Sequence, residues 1–566
     1  MLLELLFRTP LSGYERTRLA LGMKNIFSAF QIPEEKCLSP SFKSQGSSSA
    51  PIKDNDASTG HSATINMDHE VNLSATNEAA EDIFSSQVLE ALVKVEDAKA
   101  HPRLKAMPVP AGKANRVLNY ASLAIGMAAG ALSETAKRAI RKPDPANVSN
   151  VWLSEENANR LVTRLSKMRG AALKLGQLFS MQGADVLPPE LAHIFERVRN
   201  MAYAMPWPQA EVAIFLNVLG GASWRDLFSS FDHEAPIAAA YIGQVHQALI
   251  KDQKVAVKIQ YPGVRKSLSS DISSLKTLLL LGNLLPKGLF LEKTLHVLEK
   301  ELIWETNYLR EALWMDWFRR TISPLSAIVP EVFSLKIPVF FPLHSGESVL
   351  TTEWVDGLPL DRLLALPQAV RNKIGATILA LCFWEIFTLR AMQTDPNWAN
   401  FLFDGERIVL LDFGAARRFD SKFVEGYRRL VLAAAKEDWE QGYQASLDLK
   451  YLTGLESKAM INAHLNSLIV IGLPFRASSD NKFDFSTYSN IVQSIKSSIP
   501  VMLEERLTPP PEDTYALHRK LSGVFLLCAK LGAVVDCNYL LRRLVEDVNP
   551  VGVLENFDLP PYPEIN

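Results

Sequence analysis

The sequence predicts an α+β fold of two lobes with a helical extension ahead of them. Three observations carry that expectation. A strand-like stretch over 236–260 lies between two runs of helical periodicity, 153–220 and 266–317. Short strands follow around 327–355, and helix resumes over 368–392. The chain has 566 residues, roughly three to four times a common domain, enough for one large bilobal body or several smaller ones.

Taken in order, the first segment is 1–30, where Arg8, Arg16, Arg18 and Lys24 stand among apolar residues and Glu4 and Glu15 interrupt them. It reads either as a mitochondrial targeting segment or as a short amphipathic helix. Residues 31–110 form the next segment. Ser39–Ser49 and on to Ser74 is rich in Ser, Asn, Asp and Thr with almost no aromatics. Such a stretch buries too little apolar area to offset its ordering entropy, so it is expected to be a disordered linker. The third, 113–142, centres on the apolar run Leu118–Leu132 between Lys113, Arg116, Lys137, Arg138 and Arg141. Its uninterrupted apolar part is about 13 residues, against about 20 for a relaxed membrane span. Gly126 and Gly130 have the G-x-x-x-G spacing of paired membrane helices, which would make them the contact of a homodimer. The alternatives are a membrane-associated or transmembrane helix with basic anchors for anionic lipid, and an Ala-rich helix packed on the protein. Beyond it, 150–235 is a helical extension, 236–355 the N-terminal lobe and 356–550 the C-terminal lobe. No stretch reaches 18 uncharged apolar residues; Ile374–Met392 comes nearest, and with Glu385 and Arg390 it reads as a buried core helix.

Composition excludes several classes. Sixty basic against 62 acidic residues leave a net charge of −2, which argues against a partner such as nucleic acid held by bulk charge. The four cysteines, Cys37, Cys382, Cys528 and Cys537, show no C-x-x-C, so neither a disulfide scaffold nor a Cys-based zinc site is expected.

The chemistry concentrates in Leu389–Gly414. Q-T-D-P-N-W-A-N (Gln393–Asn400) is followed by L-L-D-F-G (Leu410–Gly414). Protein-kinase catalytic loops place an Asp five residues before an Asn, with an Asp-Phe-Gly further on; Asp395, Asn400 and Asp412 have that arrangement. The residue types suit the task. An Asp can orient an attacking oxygen, while an amide oxygen and a carboxylate are hard ligands for Mg²⁺ against ATP phosphates. Upstream, V-A-V-K-I (Val255–Ile259) puts Lys258 on an apolar strand, where a kinase holds the lysine that contacts phosphates. Its acidic partner should lie on 292–318, where Glu301, Glu305 and Glu311 are candidates. A Gly-rich loop is missing. Pro236–His246 instead presents Ala238, Ala239, Ala240 and Tyr241, keeping only Gly243, and should be stiffer. Thr352–Leu358 is placed as the hinge, with Glu353, Trp354, Val355 and Asp356 beside the adenine and Glu353 and Val355 offering it backbone groups. These residues together predict a protein-kinase-like bilobal fold.

The A-A-A-x-I-G-Q-V-H loop, V-A-V-K-I-Q-Y-P-G-V (Val255–Val264), Q-T-D-P-N-W-A-N and L-D-F-G-A resemble the UbiB/ADCK family of atypical kinases, and within it the fungal mitochondrial branch that serves coenzyme Q (ubiquinone) biosynthesis. The run K-M-R-G-A-A-L-K-L-G-Q-L-F-S-M-Q (Lys167–Gln182) carries its K-x-G-Q signature as Lys174, Gly176 and Gln177. The resemblance covers about 110–545, including L-T-P-P-P-E-D-T-Y-A-L-H-R-K-L-S-G (Leu507–Gly523). It implies a K-x-G-Q helix over the cleft, Lys174 and Gln177 facing the nucleotide and meeting an acidic E-x-D motif, Mg-ATP binding and ATPase behaviour. It further implies association with the matrix face of the mitochondrial inner membrane and with the quinone-synthesising enzymes, either as an atypical kinase/ATPase or as an ATP-switched lipid-binding scaffold. By the same resemblance Glu305 belongs to the K-x-G-Q contact, which leaves Glu311 for Lys258. Two positions depart from the family pattern. Tyr241 stands where the loop usually has Ser. Glu305-Thr306-Asn307 ends in an amide where the motif has a second carboxylate, removing charge that would hold Lys174.

Overall fold

The structure, a computed structural model, describes residues 119–133, 154–175, 189–200, 204–217, 221–281, 290–476 and 482–546, save positions 121, 132, 169, 172 and 235. The segments 1–30 and 31–110, and the flanks of 113–142, lie outside the described residues.

Residues 119, 120 and 122–131 are helical. Tyr120, Leu123 and Met127 are buried in one cluster with Leu161 and Leu165 of α1 (Glu155–Met168) and Ile194, Phe195 and Val198 of α2 (Pro189–Asn200). The glycine face expected to meet a second copy is covered from within the chain. A Cβ on Gly130 would collide with the side chains of Asn157 and Arg160, and one on Gly126 would touch Arg160. Asn157 Nδ2 also donates to Met127 O at 3.1 Å. The small residues thus let this helix lie close against α1. Among the described residues no helix is long and apolar enough to cross a membrane.

After α3 (Trp207–Asn217) comes an antiparallel sheet. β1 (Ser230–Phe231) and β2 (Ala238–Ala239) both pair with β3 (Gly243–Ile250), which pairs along its whole length with β4 (Gln253–Gln260). β1 lies ahead of position 236, where the sequence sets the lobe's start; two residues are too short to show a strand period. In β4 Val255, Val257 and Ile259 are fully buried, so Lys258 points from the opposite face. α4 (Val264–Leu281) and α5 (Leu291–Glu305) join the hydrophobic cluster through Leu268, Ile272, Leu295, Leu298 and Leu302, which docks the extension on this lobe. α5 stops at Glu305, and Asn307 starts α6 (Tyr308–Thr321) by accepting the N–H of Arg310 at 3.1 Å.

β5 (Ser334–Lys336) leaves this lobe and runs parallel to β10 (Arg407–Leu410) in the lower sheet, although it falls inside 236–355. The chain then returns upward as β6 (Val349–Glu353), antiparallel to β4, and descends to β7 (Leu358–Pro359), which pairs with β9 (Phe401–Phe403). The lower sheet is ordered β5-β10-β9-β7. The helix expected over 368–392 is shorter: α7 (Gln368–Phe383) gives way to a π-turn over Trp384–Thr388, and β8 (Ala391–Gln393) pairs with β11 (Ala416–Arg418). The buried Glu385 carboxylate accepts the N–H of Gln393 at 3.1 Å, and Arg390 turns the chain at φ 49°. An apolar run alone cannot register that change of direction. The lower lobe is completed by α8 (Ser421–Ala435), α9 (Lys458–Ile471), α10 (Tyr488–Lys496), α11 (Ile499–Glu505) and α12 (Glu512–Leu531). The α+β bilobal architecture is the expected one.

Candidate active site

Two lysines meet four carboxylates between the lobes. Lys258 is held by the register of β4, opposite Val245 on β3 and Leu350 on β6. Its Nζ donates to both oxygens of Glu311, at 2.8 and 2.9 Å, and to Asp412 Oδ2 at 3.0 Å. Burial alone would lower its pKa, but Asp412 and Glu311 outweigh that and hold it above the ordinary lysine range. Burial pushes the Glu311 carboxyl up to about 7 against the pull of Lys258. Glu301, another candidate partner, goes elsewhere: it pairs with Arg519 of α12 at 2.9 Å.

Asp412 follows β10 by two residues, and its Oδ1 accepts the N–H of Gly414 at 2.9 Å. Phe413 is fully buried and packs on Phe318 of α6, ring centroids 5.1 Å apart, which anchors the turn. Asn400 ends the 3-10 turn Trp398–Asn400 just before β9, and its carbonyl accepts the N–H of Leu411 at 2.9 Å. That bond brings the backbones before Asp412 and at Asn400 side by side. A carboxylate and a carboxamide here form a hard-oxygen pair of the kind Mg²⁺ takes, so the residues present fit that ion.

The second lysine comes from the extension. Lys174 is 2% exposed and lies 3.0 Å from Glu305 Oε1 and 3.0 Å from Asp395 Oδ2. Burial disfavours its charge, yet Asp395 and Glu305 together raise its pKa. Burial lifts Glu305 to about 7 despite Lys174. At Asp395 the effect of burial is reversed by Lys174, assisted by Arg519, so its pKa lies below the usual carboxylate range. Asp395 Oδ1 accepts the N–H of Asn397 at 3.1 Å. The side chain of Asn307 works as a helix cap, a task Asn and Asp share. The expectation that its amide weakens the hold on Lys174 is therefore corrected: Asp395 supplies the second carboxylate. Gly176 and Gln177 lie outside the described residues.

Tyr241 faces the extension. Its OH accepts from Lys174 Nζ at 3.3 Å, the ammonium sits 4.8 Å from the ring centroid, and its carbonyl accepts the N–H of Gly170 at 2.8 Å. Ala238 and Ala239 are paired in β2, and Ala240 N–H closes the turn onto Gly243 O at 2.7 Å. Gly243 has a steric reason: a Cβ there would lie 2.5 Å from Ile259 O and 2.7 Å from Tyr308 OH. At the hinge, Glu353 N–H bonds Val339 O at 2.7 Å and Trp354 N–H bonds Lys254 O at 3.2 Å. A ligand acceptor therefore meets neither N–H, which leaves the Glu353 carbonyl and the Val355 backbone as the groups expected at the hinge. Glu353 also pairs with Lys336 at 2.7 Å, and Trp354 Nε1 donates to Asp356 Oδ1 at 2.8 Å, with Val355 between them.

Sequence reasoning missed the support from α12. Arg519 Nη2 bonds Thr394 Oγ1 at 3.3 Å as well as Glu301, and Lys520 Nζ donates to Gln393 Oε1 at 2.8 Å. Two adjacent cations in the A-L-H-R-K-L-S-G run were the available signal.

A family profile described as the ABC1 atypical kinase-like domain matches residues 197–446. The chain is 43% identical over 444 residues to the mitochondrial atypical kinase COQ8 of Saccharomyces cerevisiae, covering 78% of this chain and 86% of that one. The mitochondrial atypical kinase COQ8B of Danio rerio is 44% identical over 448 residues (78% and 69% covered). COQ8 of Schizosaccharomyces pombe is 42% identical over 449 residues (78% and 71% covered).

Proposed function

The chain belongs to the ABC1 family of atypical kinases, and from that premise we propose that it binds and hydrolyses Mg-ATP in support of coenzyme Q biosynthesis, at the matrix face of the mitochondrial inner membrane. The observation that carries the reading is Lys258 held between Glu311 and Asp412, a strand lysine oriented by one carboxylate and placed beside another. In this reading Lys258 contacts the α- and β-phosphates, Glu311 positions it, and Ala238–Tyr241 and Glu353–Asp356 border the nucleotide. Asp412 and Asn400 would hold Mg²⁺, which supplies positive charge against the phosphate oxygens. Asp395 orients the attacking oxygen, of water or of a small-molecule hydroxyl. Lys174 must first leave Asp395, because a carboxylate engaged by an ammonium accepts no further proton readily. The basic flanks of 118–132 suit anionic lipid and the quinone-synthesising enzymes are the natural partners, whereas the Gly130 face is occupied by Asn157 and Arg160 and does not favour pairing with a second copy.

The ion pair between Lys174 and Asp395 favours a second reading, a scaffold for those enzymes that binds ATP without turning it over. Turnover separates the two. Mg-ATP hydrolysis by the full chain, with and without anionic-lipid vesicles, is measured beside Asp395→Asn. Hydrolysis that disappears in the variant is expected for the ATPase. Tight nucleotide binding with no hydrolysis in either protein overturns it in favour of the scaffold.

A further inference from the structure

Away from the nucleotide cleft, helices α8 to α12 enclose a cavity of about 520 Å³. Phe387, Leu430, Leu468, Ile491 and Phe525 line it. Protein interiors hold few voids larger than a water molecule, while small-molecule sites span roughly 300–1,000 Å³. One cation stands out on this wall. Arg506 borders the cavity, and its side-chain contact among the described residues is Met502 Sδ at 3.8 Å, with no carboxylate in ion-pair range. Glu456 acts on it only from a distance, since its two oxygens accept from Thr453 and from the Gly454 N–H. Burial lowers the Arg506 pKa, the mark of a guanidinium short of solvent. Beside it His464 and His518 are held to about 4 by burial and by Arg506, so both are neutral near pH 7 and neither competes as a cation. A half-buried guanidinium next to an apolar chamber is stabilised by an anion whose remaining surface is apolar.

We propose that this cavity is a binding site for a single-chain amphiphile with an acidic head, its chain among helices α8 to α12 and its head at Arg506. A free long-chain carboxylate satisfies both parts of the wall. A neutral lipid leaves the guanidinium unpaired, and a metal ion is repelled by it. The site reaches the catalytic support: His518 and Arg519 both border the cavity, and Arg519 is engaged with Glu301 and Thr394, next to Asp395. The proposal stands independently of nucleotide hydrolysis, because its test reads binding.

The full chain is titrated with oleate below its micelle concentration and, separately, with oleyl alcohol and with phosphatidylglycerol vesicles, by calorimetry. Oleate is expected to bind one to one and at least tenfold more tightly than the alcohol. Arg506→Gln removes that preference and leaves the alcohol's affinity unchanged, while Arg506→Lys restores most of it. Leu468→Trp, which fills the chamber, abolishes binding of both; should it not fold, the two Arg506 variants decide. Equal affinity for acid and alcohol, a preference that survives Arg506→Gln, or binding to vesicles alone overturns the proposal.

Discussion

Lys258 and Lys174 each lie between two carboxylates, yet they are held in opposite ways. Lys258 sits mid-strand, fixed by pairing on either side, and its carboxylate Asp412 remains 30% exposed toward the cleft. Lys174 arrives from an extension docked through side-chain packing and the Gly170–Tyr241 bond, and its carboxylate Asp395 is 7% exposed. One lysine leaves its carboxylate open to the cleft while the other covers its own. Two similar ion triads therefore differ in what can reach them, and that is set by the element carrying the lysine.

The comparison can be broken from either side. The largest effect is expected on the closed side, at Arg519→Met, which strands Glu301 in the interior. Removing one partner of a buried pair costs about 3–5 kcal/mol, and urea unfolding reads it; a loss near zero would mean Glu301 has another partner. On the open side, Asp412→Asn should weaken Mg-dependent nucleotide binding at least a hundredfold, about 2.7 kcal/mol, in a fluorescent-nucleotide titration, and unchanged affinity would dismantle the assignment of this side as the ligand side.

A pH series sharpens the same contrast. Glu311 is raised to about 7 in the fold, so between about 4.5 and 7 the folded chain keeps a proton that the unfolded chain releases. Stability contributed by that carboxyl therefore falls as pH rises through the window. Against Glu311→Gln, the wild type should lose up to about 1.4 kcal/mol per pH unit there and run parallel above it. The smallest effect is expected at Tyr241→Phe, which keeps the ring over Lys174 and removes the oxygen. A cost of about 1 kcal/mol is expected, and a double-mutant cycle with Lys174→Met should show that cost vanish; if it persists, the phenol acts on something other than the lysine.

What could be read ahead of the structure was local or evenly spaced. Lys258 was legible because Val255, Val257 and Ile259 alternate around it, and Asp395, Asn400 and Asp412 because a short loop and two short strands separate them. The choice of Glu311 over Glu301 and Glu305 came from the family resemblance and not from spacing, since it depends on where α5 ends and α6 begins. A single residue's shift of that kink would turn a different carboxylate toward the lysine. Asn307 was misread for the same reason: cap and ligand use the same oxygen, and only the helix start tells them apart. Arg519 lies 125 residues from Thr394, so no spacing links them. The π-turn at Trp384–Thr388 leaves no mark on an apolar pattern, and it cut the expected helix short. Gly126 and Gly130 carry a spacing that serves any close helix pair, so their sequence could not say whether the partner was another chain or α1.

The excursion of β5 has a mechanical consequence. Between α6 and the hinge the chain goes down to the lower sheet and comes back, so the halves are strapped together twice, once at 354–357 and once where Ser334, Leu335 and Lys336 lie beside Arg407, Ile408 and Val409. Thr377 Oγ1 bonds the Phe333 N–H at 2.9 Å and rivets the second strap to α7. Two separated attachments leave one rotation free, that about the line joining them; twisting one half past the other would shear the β5–β10 hydrogen bonds and the chain at 354–357 together.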